Sequence, residues 1–160
     1  MPELRPILMA EDNPKDVELI LAALSDNNLA NHVIVVRDGV EALEYLRCEG
    51  AYRLRRPGRP AVVVLDVKMP RMDGLEVLQA IRADPALKAT PVVMLTSSRE
   101  EQDVVRSYEL GVNAYVVKPV KFAEFVDAVK HIGVLWAILN ELPPETVVSD
   151  GRGQVTRTGP

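Results

Sequence analysis

Five residues of this 160-residue sequence have types suited to holding a divalent cation and moving a phosphoryl group: Glu11, Asp12, Asp66, Thr96 and Lys118. Each stands at the C-terminal end of a short apolar run. Three carboxylates in close quarters repel one another and raise their pKa values unless a cation joins them. An all-oxygen set of this kind suits Mg²⁺, which keeps several waters and also binds phosphate oxygens. An aspartate ionised at neutral pH attacks phosphorus without a general base. Phosphoryl transfer depends mainly on positioning and charge neutralisation. Lys118 can neutralise one phosphate oxygen as a point charge, and Thr96 can donate a hydrogen bond to another. The product would be a mixed anhydride on Asp66. Its added charge would pull on Thr96 and Lys118 and so bias a two-state surface.

Residues placed in this way need strands that end at one edge. The runs Pro6–Ala10, His32–Val36, Ala61–Asp66, Pro91–Leu95 and Ala114–Val117 read as five strands. Ala61–Asp66 is apolar without alternation up to its closing carboxylate, as in a strand covered on both faces of a parallel sheet. Helical patterns fall between the strands. Pro14–Leu29 has Asn13 as a cap, Pro14 at the first helical position, and Val17, Ile20, Leu21 and Leu24 on one face. Gly39–Arg47 aligns Val40, Leu43 and Leu46, and Gly74–Arg82 aligns Leu75, Leu78 and Ile81. Ser98 and Glu101 form a capping-box signature for a fourth helix running to Leu110. A fifth helix spans roughly Phe122 to Leu142, and Cys48 to Pro60 is a long loop. Five strands alternating with five helices predict an α/β fold, a doubly wound five-stranded parallel sheet. In such sheets sites form outside the carboxyl ends of the strands, which is where all five residues would fall.

Composition narrows the function. The length suits one domain, residues 1–142, followed by a polar tail at 143–160. With 48% apolar residues the chain can build a core, yet no run approaches the ~18 residues of a membrane span. The first six residues lack a basic stretch followed by an apolar one, so no secretory signal is expected. The single cysteine, Cys48, reads as a surface residue at a helix end rather than a redox thiol, and a cytoplasmic home is expected. A net charge of −4 argues against a nucleic-acid partner. The basic cluster Arg53, Arg55, Arg56 and Arg59 reads as a solvated loop, with a docking surface for an acidic partner as the sharper alternative. His32 and His131 are expected to be structural, which argues against the chain being the histidine phosphodonor.

As a set, Glu11–Asp12, Asp66, Thr96 and Lys118–Pro119 resemble the receiver domain of two-component response regulators. The flanking segments "EDNPKDVELI", "VVVLDVKMPRMDGLEVL", "VVMLTS" and "GVNAYVVKP" carry the same resemblance. It implies a CheY-like fold and a phosphoacceptor role for Asp66. It further implies that Asp12 ligates Mg²⁺ directly, that Glu11 acts through water, and that the backbone carbonyl of Lys68 supplies another ligand. Glu11 stands where the family more often has aspartate. Lys68 stands where many relatives have a smaller residue. The resemblance implies a cis Lys118–Pro119 bond and a switch role for Tyr115, following the state of Thr96. More narrowly, "AEDNPKDVELILAAL", the long loop and the apolar end of the fifth helix resemble stand-alone regulators paired with phytochrome-type histidine kinases. The implied partners are a sensor histidine kinase and a histidine phosphotransfer protein, and the chain is expected to be a signalling module rather than an enzyme.

Two other readings fit less well. A phosphatase with a strand-end aspartate nucleophile would want a second aspartate two residues on, where Lys68 stands. A flavin-binding module would want a phosphate-cradling loop after the first strand, where carboxylates stand.

In the fifth helix Phe125, Val129, Ile132, Trp136 and Leu139 repeat at spacings of four and three, a heptad-like seam. Leu135, Ile138 and Leu142 add a second apolar line. One face must cover the sheet, which explains part of this pattern but not both lines near Trp136. A helix apolar around much of its circumference is usually buried by a partner. A homodimer through this helix, with the fourth helix and fifth strand as further candidates, is therefore expected. In the tail, Thr146–Val148 and Gln154–Thr156 flank Ser149–Gly153, and either a small β-hairpin arm or an unstructured terminus is consistent with that pattern.

Overall fold

The computed structural model describes residues 5–25, 32–101, 114–131, 148–149 and 155–156. Five parallel strands form one sheet: β1 (Ile7–Ala10), β2 (Val33–Val36), β3 (Val62–Asp66), β4 (Val92–Thr96) and β5 (Tyr115–Val117). The helices are α1 (Pro14–Ser25), α2 (Gly39–Arg47) and α3 (Gly74–Ala83), then α4, described at 99–101, and α5 (Phe122–His131). The sheet order is β2-β1-β3-β4-β5, with Ile7 in register with both Val33 and Val62, and Asp66 opposite Leu95. This is the expected doubly wound sheet. Its strand order reverses between β1 and β3, the place where such folds leave a crevice.

The strand ends follow the chemistry of proline. Pro6 and Pro91 lack an N–H and stand just outside β1 and β4, yet their carbonyls accept from Ala61 and Val63 at 2.9 Å each. β1, β3 and β4 are buried throughout, while the edge strands β2 and β5 are partly exposed.

Alternation along the strands sorts the core into two layers. Leu8, Ala10, Val63, Leu65, Val92 and Met94 pack under α2 and α3. Ile7, Met9, Val62, Val64, Val93 and Leu95 pack under α1 and α5. Phe125, Ala128 and Val129 form the buried stripe of α5 against this second layer. Phe125 and Val129 were expected in a seam between two copies, and the structure corrects that expectation. Both are buried in this chain's own core, at 1% and 0% exposure, because the sheet needs cover on that face. Ile132, Trp136 and Leu139, the second apolar line and the end of the predicted helix lie outside the described residues.

Local capping is close to expectation. Asn13 Oδ1 accepts from Lys15 N at 2.9 Å and Asp16 N at 3.3 Å, which starts α1. Ser98 Oγ accepts from Glu101 N, but Glu101 Oε1 reaches back to Ser97 N at 2.7 Å, one residue short of a standard capping box. Cys48 is half-buried and ends α2 in the left-handed conformation, with φ of 55°.

The long loop is not simply solvated. It contains a 3₁₀ turn, Gly50–Tyr52. Arg55 turns inward: its Nε donates to Tyr45 O at 2.9 Å, its Nη1 donates to the Arg56 and Gly58 carbonyls, and its guanidinium lies 4.1 Å above the Tyr45 ring. Arg53, Arg56 and Arg59 remain exposed. In the tail, Val148–Ser149 pairs antiparallel with Val155–Thr156.

Candidate functional site

The crevice forms at the carboxyl ends of β1, β3, β4 and β5. Ile7, Met9, Val62, Val64 and Val116 face the α1–α5 layer, and alternation places Glu11, Asp66 and Lys118 on that same side. Contacts agree: Lys118 Nζ lies 2.8 Å from Glu11 Oε2 and 3.2 Å from Asp66 Oδ2. Glu11, Asp66 and Thr96 are buried, whereas Asp12 is exposed. Glu11, Asp12 and Asp66 each offer an oxygen within 4.8 Å of the others, as expected for a metal cluster.

The loop after β3 is fixed by close packing. Gly74 N donates to Val67 O at 3.0 Å, and a Cβ on Gly74 would run into the Asp66 carbonyl. A capping box between Asp73 and Glu76 starts α3 at that point. Arg71 takes a left-handed φ of 64° and is held by Asp38, the cap of α2. The Lys118–Pro119 bond is cis, as the resemblance implied.

The charges are poorly balanced. Burial pushes the Asp66 carboxyl up to about 7, the Glu11 charge pushes the same way, and Lys118 opposes both. In the metal-free chain burial and the Glu11 charge therefore oppose ionisation of Asp66, and Lys118 favours it. Burial alone would depress the Lys118 ammonium. Its contacts with Glu11, Asp66 and Asp16 outweigh that and hold it above the ordinary lysine value. Glu11 Oε2 is fully buried and faces this ammonium at 2.8 Å. Three carboxylates gathered around one ammonium leave an excess of negative charge, and this all-oxygen donor set fits a small hard cation.

The other predicted residues are placed as follows. Thr96 ends β4 one residue past the Asp66–Leu95 pair, and its carbonyl accepts from Lys118 N at 2.9 Å. Tyr115 pairs with Met94, is half-buried, and lies on the same sheet face as Thr96. The Lys68 side chain projects into solvent and approaches Glu101 at 3.8 Å. Asp16 was not singled out in the sequence, yet its Oδ2 accepts from Lys118 Nζ at 3.2 Å. An acidic residue in a first helical turn is ordinary, so only the fold reveals this contact.

With this geometry in hand, the chain can be placed: it belongs to the response regulator receiver domain family, whose model matches residues 7–130. Among curated relatives it is 37% identical to response regulator Rcp1 of Synechocystis sp. over 137 residues, 86% of this chain and 92% of Rcp1. Among solved structures it resembles the bacteriophytochrome response regulator AtBRR, with TM-score 0.83, 63% identity, and coverage of 88% of this chain and all of that one. It also resembles Rcp1 in a Mn(2+)-bound form, with TM-score 0.67 and 36% identity over 88% of this chain and 99% of that one. These relatives match the narrower resemblance to phytochrome-associated regulators.

Proposed function

We propose that this chain accepts a phosphoryl group on Asp66 from a partner histidine kinase, with Mg²⁺ as cofactor. The observation that carries the reading is the Lys118 ammonium, 3.2 Å from a buried Asp66 carboxylate and 2.8 Å from buried Glu11. Asp12, Glu11, Asp66 and the Lys68 carbonyl would hold the cation. When bound, the cation supplies neutralising charge for phosphoryl oxygens. An Asp66 oxygen attacks phosphorus as the P–N bond of a phosphohistidine breaks. The electron pair stays on the imidazole nitrogen, which takes up a proton. Lys118 and Thr96 meet the equatorial oxygens. Hydrolysis reverses the gain: water attacks phosphorus, the bond to the Asp66 oxygen breaks, and inorganic phosphate leaves.

The kinase is of phytochrome type in this reading, supported by the relatives above, and a histidine phosphotransfer protein is a further partner. Tyr115 follows Thr96 on their shared sheet face. Output runs through protein contacts in the cytoplasm, from a homodimer built on Trp136 and its neighbours. Among the described residues no helix is long and apolar enough to cross a membrane.

Incubation with Mg²⁺ and acetyl phosphate should add one phosphoryl mass to the wild type and none to Asp66→Asn. Equal labelling of both would overturn the assignment.

A further inference from the structure

The Lys118 ammonium has three protons, and three carboxylates surround it: Glu11 at 2.8 Å, Asp66 at 3.2 Å and Asp16 at 3.2 Å. The three differ in how readily they can give it up. Glu11 is 1% exposed, and losing its counter-charge there would leave a buried anion unpaired. Asp66 is the proposed acceptor, so its charge passes into the phosphoryl group that Lys118 must meet. Asp16 belongs to neither group. It sits in the first turn of α1, its side chain is 32% exposed, and water can solvate it once it is released. It is also the fourth acidic side chain at the crevice, on the side of Lys118 that faces α1.

We infer that Asp16 is a positioning residue that restrains Lys118 in the resting chain, drawing the ammonium toward α1 and competing with the incoming phosphoryl group for its charge. This rests on the reading of Asp66 as phosphoacceptor. Asp16 acts only through Lys118. Its carboxylate weakens the pull of that ammonium on the developing phosphoryl charge and adds to the repulsion felt by an anionic donor. Relaxing this contact therefore speeds phosphoryl transfer.

The test compares wild type, Asp16→Asn and Asp16→Glu at saturating Mg²⁺. The rate of Asp66 labelling by acetyl phosphate is followed by intact mass, and the decay of the label is followed after donor removal. Asp16→Asn has nearly the same shape and should label roughly two- to fivefold faster, the span expected for one partly exposed ion pair. Asp16→Glu should return the rate toward wild type. Structural damage does not produce a gain that the acidic variant reverses. Equal or slower labelling of Asp16→Asn, with wild type labelled at Asp66, overturns the inference and leaves the phosphoacceptor reading intact. Absence of Asp66 labelling in every form removes that reading and this inference with it.

Discussion

Arg71 and Asp38 tie the loop after β3 to the head of α2: Arg71 Nη2 lies 2.7 Å from Asp38 Oδ2, and Nε donates to the same oxygen at 2.8 Å. The other Asp38 oxygen accepts from Glu41 N at 2.8 Å. One buried carboxylate thus caps a helix and holds a strained residue of the site loop.

Asp38→Ala removes both contacts and should cost about 2 kcal/mol in urea unfolding. Asp38→Asn keeps an acceptor for Glu41 and should lose less. Arg71→Ala should cost under about 1 kcal/mol, since the guanidinium is largely exposed. Arg71→Gly should be at least as stable as Arg71→Ala, because glycine suits φ of 64°.

The glycines offer a second check. A Cβ at Gly74 meets the Asp66 carbonyl, whereas a Cβ at Gly58 meets nothing within 4 Å. Gly74→Ala should therefore lose about 3 kcal/mol and displace the loop that carries Lys68. Gly58→Ala should stay within about 0.5 kcal/mol of wild type. Equal losses from the two substitutions, measured in the same unfolding series, would contradict this packing.

The third prediction concerns pH. The folded-state value of Asp66 is raised from 3.8 to about 7. A raised carboxyl contributes stability that is fully present below the unfolded value and is lost as pH rises through the folded one. The metal-free chain should accordingly lose stability from this group between about pH 4 and pH 7. Mg²⁺ needs the ionised carboxylate and displaces the proton. The rise in melting temperature on adding Mg²⁺ should therefore be larger at about pH 8 than at about pH 6. A Mg²⁺ effect independent of pH in this range would contradict the Asp66 shift, and Asp66→Asn should abolish the pH dependence.

Much of this was readable in the chain, for physical reasons that also mark where reading stopped. Continuous apolar runs identify β3 and β4 because a parallel strand is buried on both faces, and a lone carboxylate closing such a run stands out. Asn13 and Pro14 locate the start of α1 because their local chemistry suits no other place so well. Asp16 carries no such mark: its partner lies 102 residues away and meets it only through the fold. Arg55 misled in the opposite direction. An arginine-rich loop reads as solvated, and only the backbone path shows carbonyls of Tyr45, Arg56 and Gly58 converging on one guanidinium. Phe125 and Val129 show the limit of periodicity. Spacings of four and three reveal an apolar face, but not whether a sheet or a second copy covers it.

The two-layer core also has a bearing on the crevice. Residues 7, 9, 62, 64 and 116 line one apolar layer, and 11, 66 and 118 continue the same count of two into the charged cluster. Parity along each strand thus decides at once which side chains shun water and where the charges gather. Deleting one residue inside β1 or β3 would turn an acid away from Lys118 and push core methyl groups into the opposite layer. Such a lesion cannot spare the fold while silencing the chemistry, as a side-chain substitution at Asp66 can.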